Sequence, residues 1–317
     1  MTDGKSCVII GAGIAGLTAA RMLSDRGWSV VLLDKGRGPG GRMATRRMGE
    51  GRFDHGAQFF TVRDARFREA VDRWESRGWV TPWFTESGHV RYRGADGMEG
   101  IAKQLAQRLE VHPKTKVERI ATSDGGWRVL ADTGEEFRAS ALLLTAPAPQ
   151  SKELLAWCWD ALPAAMVKVL NGISYDPCFA LLARLDGPSG VPAPGYVRLE
   201  DGPITFIADN TQKGISTGSA AVTIHARADF TRRYFDAAQD EVAQLLRQAA
   251  QPWLGTAVLE RGLHRWKYSQ PVDTTVERYL FATEPAPLAI AGDGFGGARV
   301  EGAFLSGLSA AERMLTI

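Results

Sequence analysis

Two glycine-rich turns, one near each end of the chain, carry residues whose types and spacing suit a nucleotide cofactor. The first is Gly11-Ala12-Gly13-Ile14-Ala15-Gly16. Gly11 permits a tight turn out of a strand, Gly13 lets the backbone approach a pyrophosphate, and Gly16 lets the next helix pack closely. The first helical turn, with Ala15 in it, offers unpaired N–H groups and a positive dipole end to phosphate. Asp34 closes the next apolar run, 23 residues after Gly11. There its carboxylate is placed to accept from the ribose hydroxyls of an adenosine. An acid at that position argues against a 2′-phosphate on the cofactor.

NAD and FAD meet this pattern equally, so a second signal must separate them. The run Lys35-Gly36-Arg37-Gly38-Pro39-Gly40-Gly41-Arg42 follows directly. It resembles the Gly-Gly-Arg loop of the large FAD-containing family that includes the monoamine oxidases. The resemblance implies that Lys35 and Gly41 border the cofactor and that Arg42 lies against its pyrophosphate. The second glycine turn, Ala291-Gly292-Asp293-Gly294, is similar to the family's C-terminal flavin segment. There the matching Asp293 would bond the ribityl chain, and the following helix would point its N-terminus at the flavin pyrimidine. A weaker match is Val117, in the strand pair where the family contacts adenine through its backbone.

A closer resemblance, to the renalase family, rests on Phe53-Asp54-His55-Gly56-Ala57-Gln58-Phe59-Phe60, on His264-Arg265-Trp266-Lys267-Tyr268-Ser269-Gln270 and on Gly292-Asp293-Gly294-Phe295. It spans the whole chain and implies non-covalent FAD on a p-hydroxybenzoate hydroxylase-like fold. The implied reaction is oxidation of the 2- or 6-dihydro isomers of NAD(P) to NAD(P)+, with O2 reoxidising the flavin to give hydrogen peroxide. No cysteine follows Cys178, which excludes a thioether to the flavin from the C-terminal segment. A dihydropyridine is already a hydride donor, so the protein needs alignment and no general base. Gln58, Phe59 and Phe60 follow a Gly-Ala kink and are expected to approach the flavin ring, with core packing as the alternative for one of the two Phe residues. In an extended segment His264, Trp266 and Tyr268 share one face, with Arg265 and Lys267 on the other. Likewise Thr223, His225 and Arg227 oppose Val222 and Ile224. The candidates to line the substrate site are therefore Gln58, His225, Trp266 and Tyr268; His225 serves equally well as a satisfied structural histidine.

These residues need a scaffold, and hydrophobic periodicity supplies it. Residues 6–10, a helix from Ile14 and the run Val30-Val31-Leu32-Leu33 form a βαβ unit. Residues 36–56 show no periodicity and read as an ordered binding loop. Helices are predicted around Phe67, Val71 and Trp74 and over 98–109. Strands are predicted at 116–120, 127–131 and 141–144. From 165 to 228, short alternating strands at 178–185, 196–200, 204–209 and 220–228 predict an antiparallel sheet. A helix through Phe235, Val242, Leu245 and Leu246 follows, then a parallel-type strand at 287–291 and a small-residue helix. The expected fold class is α/β: a Rossmann-like FAD domain built from 1–60, 95–150 and 280–317, with an inserted, mainly antiparallel substrate domain from 61–94 and 151–279.

Composition agrees with an enzyme acting on small molecules. The formal charge of +2 is too near neutrality to recruit nucleic acid or a membrane surface. Three scattered cysteines, Cys7, Cys158 and Cys178, give no disulfide framework and no metal-ligand spacing. No apolar run approaches the ~20 residues of a membrane span, and no secretory signal is evident, so the cytoplasm is the expected compartment. An amine oxidase and a non-catalytic FAD protein remain alternatives.

Overall fold

Cys7-Val8-Ile9-Ile10 is apolar on both faces because it runs through the middle of a covered sheet. The computed structural model describes residues 4–123 and 125–317, so the first three residues of the expected 1–60 segment lie outside the described residues. In chain order, β1 (Ser6–Ile10), α1 (Ile14–Ser24) and β2 (Ser29–Asp34) form the opening βαβ unit. Next come a hairpin, β3 (Thr45–Met48) and β4 (Gly51–Asp54), then α2 (Ala65–Ser76), a second hairpin, β5 (Val80–Glu86) and β6 (His89–Gly94), α3 (Met98–Ala106) and β7 (Glu110–Pro113). A three-stranded sheet is made by β8 (Val117–Ser123), β9 (Gly126–Ala131) and β10 (Glu136–Ala139), before β11 (Ala141–Leu144) returns to the first sheet. Helices α4 (Ala148–Leu155) and α5 (Ala164–Gly172) lead to β12 (Tyr175–Leu185), β13 (Tyr196–Arg198), β14 (Ile204–Asp209) and β15 (Ala220–Ala226). The chain ends with α6 (Ala228–Arg233), α7 (Gln239–Leu254), β16 (Val258–Pro271), β17 (Leu280–Ala282), β18 (Leu288–Ile290) and α8 (Val300–Met314).

Two sheets organise the molecule. The first has strand order β17-β18-β11-β1-β2-β7 and is parallel except for β17 at its edge. Successive residues of β1 alternate between its two cores. Cys7 and Ile9 meet α1, α3 and α8, while Val8 and Ile10 meet the three-stranded sheet, α4 and α5. The second sheet, β13-β14-β15-β12-β16, is antiparallel throughout. One face packs Leu181, Val222 and Ile224 against Val242 and Leu246 of α7. The other packs Leu182 and Ala221 on Met48 and Phe53 of the β3–β4 hairpin. The α/β class with an inserted antiparallel sheet is thus the architecture observed.

Three local expectations are corrected. Residues 36–56 hold the β3–β4 hairpin and are not all loop; four-residue strands carrying Arg46, Arg47 and Arg52 are too short and too polar to announce a buried face. Phe235 precedes α7 and is not part of it. Residues 61–94 and 151–173, expected with the inserted sheet, put Phe67, Trp74, Met166 and Leu170 into the two cores of the parallel sheet. No helix among the described residues is long and apolar enough to cross a membrane.

Candidate active site

The parallel strands end where a cofactor would bind, at the carboxyl edge of the sheet. A Cβ on Gly16 would sit 2.1 Å from the Gly11 carbonyl oxygen, so only glycine lets α1 begin so close to the turn. By contrast a Cβ on Gly13 meets nothing within 4 Å, which leaves the backbone approachable at the helix N-terminus. Asp34 ties the turn together: Oδ2 accepts from the Ala12 N–H (2.7 Å) and Oδ1 from the Gly36 N–H (2.6 Å). Lys35 is exposed just beyond it. The Gly40 N–H donates to the Ala12 carbonyl (2.8 Å), docking the Gly-Gly-Arg loop onto the first turn, where Gly41 faces the Gly13 Cα. Val117 points its side chain into the core beside Val8 and Leu33, leaving only its backbone for a ligand. The expected consequence of Gly16→Ala is a loss of cofactor affinity of about 5- to 150-fold, from an overpacking cost of about 1–3 kcal/mol. The cofactor-to-protein absorbance ratio after gel filtration measures it, and an unchanged ratio would contradict the close approach.

The two chain ends meet at an ion pair. Arg42 grips Asp293 with both terminal nitrogens, at 2.5 and 2.7 Å. Tyr175 donates its hydroxyl to Asp293 Oδ1 (3.2 Å), and its ring lies 5.6 Å from the guanidinium. Arg42 also reaches the Tyr268 carbonyl (3.4 Å), and Tyr268 meets Tyr175 edge-on at 5.9 Å. Burial opposes the Arg42 charge, but Asp293 and Tyr175 outweigh it and hold its pKa above the ordinary value. Asp293 does not cap the last helix, which starts at Val300; the turn through Phe295 separates them. Tyr175 escaped sequence reasoning because a lone tyrosine opening a strand carries no signal.

The segment between Asp54 and Gln58 is strapped beneath the antiparallel sheet. The His55 carbonyl accepts from Trp266 Nε1 (2.8 Å) and lies 3.2 Å from His225 Nε2, while Thr223 donates to the Asp54 carbonyl (2.9 Å). His225 therefore carries its proton on Nε2, and only Nδ1 is left for a ligand. The His55 ring stacks on Trp266 (5.3 Å) and meets His264 edge-on (4.8 Å). Its Nδ1 is buried with no partner among the described residues. Burial pushes the His55 pKa down to about 3, helped by His264, and that of His225 to about 4; His264 is lowered too, again by burial. All three rings are neutral at pH 7.

Beneath them lies a buried ion pair. Lys213 Nζ is 2.6 Å from Asp54 Oδ2, and both side chains are fully inaccessible. Burial lowers the lysine pKa against the pull of Asp54. Thr45 and the Met98 N–H donate to the other carboxylate oxygen (2.5 and 2.9 Å). Gln58 belongs to this network: Nε2 donates to the Asp54 carbonyl (2.5 Å) and Oε1 faces Lys213 (3.4 Å). Its amide is thus spent on bracing the strap, not held out toward a ligand. Phe59 projects into an aromatic group with Phe84 and Phe206, whereas Phe60 is core. His55 lies inside the Phe53–Phe60 motif but was not among the expected site residues, since a lone histidine there carries no signal of its own; Lys213, in a turn, was missed as well.

Comparison with known proteins completes the assignment. Residues 9–74 match the NAD(P)-binding Rossmann-like domain family and residues 78–315 the flavin containing amine oxidoreductase family. Renalase of Mus musculus is 26% identical over 331 aligned positions, covering 95% of this chain and 96% of that protein. A crystal structure described as a putative protoporphyrinogen oxidase from Exiguobacterium sp. 255-15 superposes with a TM-score of 0.77 at 16% identity, over 99% of both chains. A triple mutant of putrescine oxidase superposes with a TM-score of 0.72 at 14% identity, again over 99% of both. The open backbone at Gly13, the free α1 N-terminus and the docked Gly-Gly-Arg loop fit FAD as cofactor. The chain belongs to the flavin containing amine oxidoreductase family and is, within it, a renalase-like FAD-dependent oxidoreductase.

Proposed function

We propose that this protein oxidises the 2- or 6-dihydro isomers of NAD(P) by hydride transfer, forming NAD(P)+. The observation that carries the reading is the character of the wall formed by His55, His225, His264 and Trp266. It is aromatic, and its histidines are held neutral. Of the nearby carboxylates, Asp293 is engaged by Arg42 and Asp54 by Lys213. Such a site suits a neutral donor that becomes an aromatic cation without giving up a proton. Bound FAD would supply the hydride acceptor and, reoxidised by O2 with one proton from solvent, would yield hydrogen peroxide. The chain's own task is alignment: Trp266 and Tyr268 offer ring faces, and the Gln58-braced strap fixes the floor.

Anaerobic mixing of the purified holoprotein with each dihydronicotinamide isomer, and with a panel of amines, tests the proposal. Rapid bleaching of the flavin by the isomers is expected. Bleaching by amines alone would make the protein an amine oxidase, and no bleaching by any donor would leave it a binding protein. The rate of reduction is further expected to be flat from about pH 7 to 9, because burial keeps His55, His225 and His264 neutral there. An amine donor would instead react faster as pH rises and its ammonium deprotonates.

A further inference from the structure

A second cluster lies beyond the histidine wall and is unused by that chemistry. It forms where the β5–β6 hairpin closes on the edge strand β13, pinned by Trp83 Nε1 donating to the Pro194 carbonyl (2.9 Å). Tyr196 and Arg198, two residues apart on β13, share a face. The Arg198 guanidinium stands over two rings, Phe206 at 5.2 Å and Phe59 at 5.6 Å, and Arg91 covers Phe59 at 5.5 Å. The cluster is continuous with the wall, since Phe206 is 6.5 Å from His225 and 6.1 Å from Phe59.

Its charges do not balance. Arg91 and Arg198 share a single carboxylate, Glu86, at 2.8 and 3.4 Å, and Tyr196 donates its hydroxyl to the same group (3.0 Å). Two guanidinium groups against one carboxylate leave a net positive charge. Arg91 Nε is buried with no partner among the described residues. Arg198, with half its side chain exposed, has donors free to turn outward. Guanidinium groups preorganised on aromatic faces are suited to phosphate, which they bind through paired donors. They would repel a cationic amine.

We propose that Arg198 and Arg91 form an anion subsite that holds the diphosphate of a dinucleotide substrate while its nicotinamide ring lies against the histidine wall. The inference rests on the dihydronicotinamide reading and names the part of the substrate that reading leaves unplaced. A truncated donor lacking the diphosphate would forgo this anchor, so the subsite governs binding and not the hydride step.

Calorimetric titration of the FAD-loaded protein with NAD+, ADP-ribose and nicotinamide riboside tests it, comparing wild type with Arg198→Ala. The variant is expected to bind NAD+ and ADP-ribose about 10- to 100-fold more weakly, the range for loss of a charge-assisted hydrogen bond, and to bind the riboside unchanged. Arg198→Lys, which keeps the charge without the planar fork, should fall between. In turnover, KM for the dinucleotide should rise with kcat unchanged. NAD+ and ADP-ribose affinities in the variant unchanged from wild type, or no ADP-ribose binding by wild type, would overturn the subsite. Arg198-dependent binding of ADP-ribose to a protein whose flavin no dihydronicotinamide bleaches would keep the subsite and sink the assigned reaction.

Discussion

Replacing Asp54 with alanine is expected to cost about 3–5 kcal/mol of folding stability, the range for removing one member of a buried ion pair. Lys213 would be left charged, or forced neutral, in a site from which solvent is excluded. Thr45 and the Met98 N–H would lose their acceptor at the same time. Set against a typical total of about 5–15 kcal/mol, this removes from about a fifth to the whole of the folding stability. The effect is specific to breaking the pair. The double variant Asp54→Asn, Lys213→Met removes both charges and should recover most of the loss, because hydrophobic replacement of a buried pair is often neutral or better. Denaturant unfolding midpoints of the two variants measure this. An Asp54→Ala protein within 1 kcal/mol of wild type would mean that the pair bears no structural weight.

Acid should destabilise the protein well before its carboxylates protonate. His55 has a folded pKa of about 3 and His225 of about 4, against about 6.5 in the unfolded chain. Between these limits the unfolded state binds protons that the native state refuses, so stability rises with pH across the window and is lost as pH falls below 6.5. Above 6.5 both states hold neutral rings and the contribution is constant. Each histidine contributes a slope of about 1.4 kcal/mol per pH unit. Together they amount to up to about 5 kcal/mol at pH 4.5. The melting temperature of the holoprotein, followed from pH 7 to 4.5, reports the slope. His225→Gln should remove about half of it; an unchanged slope in that variant would show that His225 is not held neutral.

Much of the scaffold was readable because its elements are locally consistent. A glycine turn after an apolar strand, an acid at the end of the next strand and a second glycine turn after β18 were enough to foresee the turns at the carboxyl edge of the parallel sheet. The alternation of His264 and Trp266 was likewise enough to bring their rings together on β16, 4.2 Å apart, whereas a register irregularity follows Trp266 and Tyr268 meets Tyr175 instead. What sequence could not show is which polar atoms find each other across long separations. The strap at His55 is held by Trp266 and His225, more than 160 residues away. Gln58 is expected at the ring from its motif but is drawn into the Lys213 network by a loop carrying no pattern. The short arginine-bearing hairpin β3–β4 was invisible for a related reason. Its apolar residues Met48 and Phe53 are buried singly against the inserted sheet, which is too little to create a period.

The central claim, hydride transfer from a dihydronicotinamide to FAD, is tested most directly by a single anaerobic turnover with product analysis. With enzyme in excess over 2- or 6-dihydro-NAD, the account predicts flavin bleaching together with one equivalent of NAD+ for each flavin reduced. Bleaching without NAD+, or NAD+ without bleaching, would contradict it.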